Sequence, residues 1–402
     1  MAATPLPASR IAVRDLTLPA CAAPVDAHHL GVIHANHAGS TWPRPTGVAE
    51  AMQRALAAEP THHGRLYDEA HATIARWFEL PSPERLVPTG SCTQALAIVL
   101  GDLPWRSGDV VVTSSLEHHA LVRPVQKLVH ERGVVHRAMP RAANGGPIDL
   151  DAVAATLRAG RVRLVAVTGA SNVTGELLPI AELAALAHAH GATFLLDSAQ
   201  IAGVLPCDVR SLGVDVLVFA GHKGLHGPLG IGGFWAAKTV AFECPAAQCE
   251  IATDGAPQVP MAPFPGFCDT GSVNLPALLG LATGLACLDA QPPFVRERPV
   301  RLASWLRQQV RDRWPERLLG GSGPHTGALS LRLEAERLAR AESHFAARGI
   351  VVRAGQHCAP MALAALGVPQ GCLRLSFGPQ NHDDDAAAVL AGLEGLLGGV
   401  SR

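Results

Sequence analysis

From about residue 84 the chain alternates short, near-continuously apolar runs with longer segments of helical period, and few architectures accept that pattern. "RLVPTG" leads into "SCTQALAIVLGDL", "DVVVTSS" into "EHHALVRPVQKLVHERG", and "VRLVAVTGAS" into "PIAELAALAHAHG"; "TFLLDSAQ" and "VDVLVFAGHKG" follow. A strand that is apolar on both faces must be covered on both faces. The alternation therefore predicts an α/β fold with a mostly parallel sheet packed between helices. Upstream, "TGVAEAMQRALAAE" (46–59) has the spacing of an amphipathic helix. Residues 241–272, rich in Pro, Ala and Gly, read as a long loop. Beyond about residue 285, "GALSLRLEA", "AERLARAESHFAARG", "IVVRAG", "MALAALG", "CLRLSFG" and "DDDAAAVLAGLEGLL" predict a second, smaller α/β lobe.

A chain of 402 residues has room for two such cores. The expected organisation is an N-terminal extension over 1–30, a large domain over 31–285, and a small domain over 286–402. Net charge is −1 and the arginines are scattered, so nothing electrostatic favours nucleic acid or an acidic membrane surface. Nine cysteines without a CxxC pair speak for reduced thiols and against a disulfide scaffold. The first 25 residues hold Arg10, Arg14 and Asp15 but no unbroken apolar core, and no apolar run reaches the roughly 18 residues of a membrane helix. A cytoplasmic location is the expectation.

In open α/β sheets, ligands gather at the carboxyl ends of the strands. In "TGSCTQA" (89–95) Ser91 stands three residues before Gln94, the spacing of a capping box; the same helix start can cap itself or seat a phosphate. "FLLDSAQ" ends a strand with Asp197, which can cap the next helix or hold a ring nitrogen protonated. "FAGHKGLHGPLGIGGF" (219–234) carries Lys223, one of only three lysines in the chain, beside His222. That lysine can be solvated. The glycines around it, Gly221, Gly224, Gly227 and Gly230, can also admit a ligand close to the backbone. An amine able to form an imine, a carboxylate for a pyridinium nitrogen and a phosphate-binding helix start are together what pyridoxal 5'-phosphate requires.

At this point the chain resembles the class V aminotransferase group of fold-type I pyridoxal-phosphate enzymes, and most closely the cysteine desulfurases and selenocysteine lyases. The resemblance runs from about residue 30 to 395. "NHAGSTWPRP" (36–45) is similar to the family's "DNAATTYPKP", and "EHHALVRP" (117–124) to its "EHNSxxxP". "SNVTGELLPI" (171–180), "DSAQ" (197–200), "GHKGLHGPLGIGG" (221–233), "VRAGQHCAP" (352–360) and "LRLSFGPQN" (373–381) follow in family order. The resemblance implies a mostly parallel seven-stranded sheet in the large domain and a small domain carrying Cys358 and Arg374. It implies Lys223 as the cofactor-binding amine, Asp197 on the pyridine nitrogen, Gln200 and Asn172 at the phenolic oxygen, and His118 stacked on the ring. Cys92, Thr93 and His222 would complete the cofactor site. Arg374 and Asn172, with Ala38 and Gly39, would bind the substrate carboxylate.

Two departures from the family stand out. Ala220 replaces the Ser or Thr that precedes "GHK", which removes one phosphate hydroxyl. "IATDGAP" (251–257), with Thr253 and Asp254, stands where the family has "GGTGS", a loop that reaches the partner subunit's phosphate. The implied assembly is a homodimer. Cys358, with Arg353 and His357 nearby in a glycine-containing loop, is the expected nucleophile, because positive neighbours favour a thiolate. The implied reaction converts L-cysteine to L-alanine and leaves a persulfide on Cys358 for a sulfur-accepting protein. The alternatives are a lyase acting on selenocysteine or a cysteine S-conjugate, a class V aminotransferase or epimerase, and a non-catalytic sulfur-relay partner. Paired histidines (His28/His29, His62/His63, His118/His119) and His188/His190 lack acidic or cysteine partners at ligand spacing, so no metal site is expected.

Overall fold

The computed structural model describes residues 31–142, 146–243, 264–266 and 272–398. Residues 1–30 and 251–257, and most of the predicted 241–272 loop, lie outside the described residues. The strands are β1 (Ile33–His34), β2 (Leu86–Thr89), β3 (Val110–Thr113), β4 (Val135–Ala138), β5 (Val162–Thr168), β6 (Thr193–Asp197), β7 (Val216–Ala220), β8 (Gly232–Ala236), β9 (Ala328–Leu331), β10 (Ile350–Val351), β11 (Arg353–Gly355) and β12 (Cys372–Ser376). The helices are α1 (Thr46–Ala57), α2 (His63–Trp77), α3 (Cys92–Asp102), α4 (His119–Arg132), α5 (Leu150–Arg158), α6 (Ile180–Ala189), α7 (Leu275–Asp289), α8 (Pro293–Arg313), α9 (Ala335–Ala346), α10 (Pro360–Ala365) and α11 (Asp383–Leu397).

Strands β2 to β8 form one seven-stranded sheet in the order β2-β8-β7-β6-β5-β3-β4. The five strands from β7 to β4 pair in parallel; β8 runs antiparallel to both of its neighbours. The predicted fold, a mostly parallel sheet flanked by helices, is therefore present. Period-2 alternation sorts the apolar residues into two cores. Val110, Val112, Phe194, Leu196, Leu217 and Phe219 enter one core, while Val111, Leu195, Val216 and Val218 enter the other. Full coverage of both faces is why these strands read as unbroken apolar runs.

The sequence does not announce β8, because its "GG" looks like loop. Its glycines answer to packing instead. A Cβ on Gly232 would stand 2.6 Å from the Cys92 nitrogen, and one on Gly233 2.6 Å from the Phe219 ring. Glycine lets the strand lie against the start of α3. Helix α7 escapes an amphipathic reading for a related reason: it is apolar all round and buried on nearly every side, with α1 and α2 packed against it.

A second, three-stranded antiparallel sheet has the order β11-β12-β9, and the short β1 pairs in parallel with β10. Their core holds Leu306, Phe345, Leu373, Leu375, Val389 and Leu393. The chain's N-terminal described segment thus sits with its C-terminal sheet, and Asn36 bridges Ser376.

Gly284 in α7 faces the loop after β7. A Cβ there would meet the Leu225 carbonyl oxygen at 2.7 Å and the His226 carbonyl carbon at 2.9 Å, both backbone atoms that cannot rotate away. Helix propensity alone makes Gly→Ala stabilising by about 1 kcal/mol. We expect the contact to reverse that sign: Gly284→Ala lowers the urea midpoint, whereas Gly101→Ala in α3, where nothing lies within 4 Å, raises it.

Candidate active site

Asp197 is the last residue of β6, and Lys223 lies three residues past the end of β7 in the adjacent strand–turn. Asp197 is 3 % exposed. Its Oδ1 accepts from the Ala199 N–H at 3.0 Å and from the Cys92 thiol at 3.5 Å. Burial raises the Asp197 pKa; the Ala199 N–H, the Lys223 charge and the Cys92 thiol oppose it. Lys223 keeps partial exposure as a residue, yet protein surrounds its amine closely enough that burial lowers its pKa, with Asp197 and Cys92 opposing. Each group is pushed toward neutrality by desolvation and held back by the other.

The lysine turn is fixed from outside. Thr41 donates its N–H to the His222 carbonyl at 3.0 Å and its hydroxyl to the Lys223 carbonyl at 2.8 Å. At three of the four surrounding glycines, close packing of the protein itself accounts for the missing side chain. Cβ atoms at Gly221, Gly224 and Gly227 would fall 2.3–2.9 Å from Ile231, the Ala202 carbonyl and the Gly221 carbonyl. These glycines exist for close packing of the loop. Gly230, with φ +81°, alone needs its conformational freedom. Ala220 is buried at 2 %.

Ser91 caps α3: its Oγ accepts the Gln94 N–H at 3.1 Å. Gln94 reaches back to the Gly90 N–H at 2.8 Å, not to that of Ser91, so the predicted box is displaced by one residue. Cys92 opens the helix with its thiol on Asp197, and Thr93 shares an open groove of about 610 Å³ with His118, His119, Arg123 and Cys358. His118 caps α4 by accepting the Ala120 N–H at Nδ1, which leaves its proton on Nε2. Burial, then the Lys223 charge, lowers the His118 pKa to about 4, so the ring is neutral at pH 7. His222 follows the same pattern, at about 4. Gln200 is buried, its amide donating to the Ala38 carbonyl at 3.0 Å; the Ala38 N–H binds Ser376 Oγ, and the Gly39 N–H binds the Asn36 carbonyl.

Arg374, 5 % exposed on β12, is no surface charge. Its two Nη groups donate to the Asn172 carbonyl at 2.9 Å and to Asn36 Oδ1 at 3.1 Å, while its buried Nε meets no protein partner among the described residues. Asn172 donates to the His357 carbonyl at 2.8 Å and keeps a buried, unpartnered Oδ1. Sequence reasoning missed Asn36 as the residue that braces Arg374, because no local pattern links positions 338 residues apart. It also missed the Cys92–Asp197 contact and Glu117, although "EHH" placed that carboxyl beside His118.

Cys358 is exposed, and it and His357 hold φ of +54° and +50°. Each left-handed residue costs roughly 1–2 kcal/mol. Three bonds retain the turn: Asn172 to the His357 carbonyl, the His119 N–H to the Cys358 carbonyl at 2.8 Å, and His357 Nε2 to the Cys372 carbonyl at 3.0 Å. Of the two predicted positive neighbours, His357 is corrected. Arg353 spends its charge on Glu342 at 3.4 Å, and burial lowers the His357 pKa to about 4, leaving it neutral. Cys358 also interacts electrostatically with Lys223 and Arg374.

Residues 46–389 match the model of the class-V aminotransferase family. The chain belongs to that family. It is 32 % identical over 359 residues to a probable cysteine desulfurase of Pseudomonas aeruginosa, covering 87 % of this chain and 88 % of that protein. The apo structure of a cysteine desulfurase from Thermococcus onnurineus NA1 superposes with a TM-score of 0.81 at 26 % identity, over 92 % and 95 % of the two chains. The cystine C–S lyase C-DES, in a mutant form with glycine covalently linked to its PLP cofactor, shares the fold with a TM-score of 0.76 at 22 % identity, over 92 % and 97 %.

His118, His222, His226 and His357 all have folded pKa values near 4 against an ordinary 6.5, with burial the first cause in each. Below pH 6.5 the unfolded chain takes up protons that the folded chain refuses, so stability contributed above 6.5 is lost as pH falls toward 4. We expect the thermal midpoint to drop steeply over that window, and His226→Phe to make the drop shallower. Differential scanning calorimetry at half-unit pH steps measures both.

Proposed function

We propose that this protein is a pyridoxal-phosphate-dependent cysteine desulfurase that takes sulfur from L-cysteine onto Cys358 and releases L-alanine. The observation that carries this reading is the convergence of four groups on one site. A desolvated amine and a buried carboxylate stand at the strand ends of the large sheet, a buried guanidinium stands on β12, and the exposed Cys358 thiol interacts electrostatically with the amine and the guanidinium.

The residues fit the cofactor. Lys223 offers an amine whose lowered pKa suits bond formation with an aldehyde, and Asp197 offers a carboxylate for the ring nitrogen. His118 would lie on the ring, with Gln200, His222 and Asn172 around it. The Cys92 and Thr93 N–H groups at the start of α3 would face the phosphate. When bound, pyridoxal phosphate supplies an electron sink for charge left at the substrate α-carbon.

The substrate carboxylate would pair with the free Nε–H and the remaining Nη protons of Arg374, a fork that Asn36 and the Asn172 carbonyl hold in plane. Lys223 takes the α-proton as general base, and burial lowers the pKa of its amine in the direction that role requires. The Cys358 thiolate attacks the substrate sulfur. The new S–S bond forms as the Cβ–S bond breaks, and that bond's electron pair stays on Cβ, which takes a proton to become the methyl of alanine. The persulfide then stands at an exposed position, beside an open groove, where a sulfur acceptor can reach it. The family resemblance supports a homodimer, and the nine cysteines without a CxxC pair support a reducing, cytoplasmic location.

The tests follow residue by residue. Borohydride reduction of the loaded protein and peptide mapping should label Lys223 and no other side chain. Cys358→Ala should stop alanine formation from cysteine while the cofactor band persists. Pyruvate and ammonia in place of alanine would instead assign a C–S lyase. Arg374→Lys replaces the fork with a point charge, and we expect kcat/KM for cysteine to fall by about 10- to 100-fold, the worth of one charge-assisted hydrogen bond of roughly 1.5–3 kcal/mol.

A further inference from the structure

Glu117 closes the turn between β3 and α4 and is 0 % exposed. One carboxyl oxygen, Oε1, lies 2.5 Å from Ser114 Oγ, and the other accepts the Thr168 N–H at 2.9 Å. Ser114 Oγ in turn accepts the Leu116 N–H at 3.0 Å. Thr168, the last residue of β5, is in register with Asp197 on β6. The next residue after Glu117 is His118, the cap of α4. This carboxyl therefore joins the turn that delivers the ring-stacking histidine to the strand end beside the pyridine-facing acid.

No arginine, lysine or histidine among the described residues forms an ion pair with Glu117, and the charged group that acts on it is another carboxylate, Asp197. A buried anion with no cation partner, in the field of a second anion, is costly, and that cost is relieved when one of the two carboxyls is protonated. We propose that Glu117 is a positioning residue that works as a neutral carboxylic acid, donating its proton to Ser114 Oγ and tying the His118 turn to the strand end at Asp197. In this arrangement Ser114 accepts from both Glu117 and Leu116, and Thr168 donates to the carbonyl oxygen. Asp197 is then the one anion of the pair.

The electrostatics agree with the geometry. Burial raises the Glu117 pKa to about 8 and Asp197 adds to the rise, with the contacts to Ser114 and Thr168 opposing it. Between the ordinary value of 4.5 and about 8, the folded state holds a proton that the unfolded chain has released. The contribution of this group to stability therefore falls as pH rises through that window and is constant above it.

The placement at His118 and Asp197 rests on the function proposed above, but the protonation is testable on the protein as purified, whatever its cofactor. Infrared difference spectra of wild type minus Glu117→Gln at pH 7 should show a protonated-carboxyl C=O band that vanishes with a midpoint near pH 8. Ser114→Ala, which removes the acceptor, should move that band to higher frequency. The glutamine amide reproduces both bonds without titrating. The difference in thermal midpoint, Gln variant minus wild type, should thus grow from pH 5 to pH 8 and then level off. In the holoenzyme, a limb of the rate–pH profile near pH 8 should be present in wild type and missing from the Gln variant. Absence of the C=O band at pH 7 in the wild type overturns the proposal. So does a stability difference that is flat with pH, or an alkaline limb unchanged by the substitution.

Discussion

Desolvation at the carboxyl end of the sheet is the constraint on which the rest of this structure depends. Water would leave Lys223 a solvated cation and Asp197 a solvated anion, each chemically idle. Packing on both faces of β6 and β7 removes that water; burial pushes both side chains toward neutrality, and the charge of each holds the other back. Cys92 adds a thiol to the same carboxylate, with its own pKa raised by burial and by Asp197. The neutral rings of His118 and His222 complete surroundings poor in competing charge.

The lysine turn cannot relax out of this environment, because backbone presses on it from several sides. Gly224 stands against the Ala202 carbonyl, Gly284 of α7 against Leu225 and His226, and Thr41 grips two successive carbonyls. The Cys358 turn is held in an unfavourable backbone conformation by Asn172, in the loop after β5, and by His119, the first residue of α4. The thiol is thus presented by strain and restrained by residues that also furnish the site. This is an economical way to keep a reactive group exposed yet registered to its target.

Much of the fold was legible because the strands are buried on both faces and say so in unbroken apolar letters. Glycines hid β8, since a strand squeezed against a helix start looks like a loop when the neighbour is unknown. Uniform burial hid α7, since a helix without a wet face has no period to detect. At the site, Lys223, Asp197, His118 and Arg374 could be picked out because their types are rare at strand ends or match an ordered series of motifs. The partners that tune them could not. Asn36 meets Arg374 across 338 residues, and Cys358 interacts electrostatically with Lys223 and Arg374, the one far from it in the chain and the other on β12. Proximity along the chain is a poor guide to charge when one neighbour is engaged by Glu342 and the other is neutralised by burial.

The parallel pairing of β1 with β10 carries a consequence for how the molecule is made. At a synthesis rate of about 5–20 residues per second, the 338 residues between Ala38 and Ser376 separate their emergence from the ribosome by about 15–70 s. The large sheet can close in that interval, while Ile33–His34 must wait as an unmatched edge for Ile350–Val351 to arrive. The guanidinium pocket is consequently assembled last, so a nascent or truncated chain would possess the lysine turn long before it possessed the Arg374 site proposed to hold the substrate carboxylate.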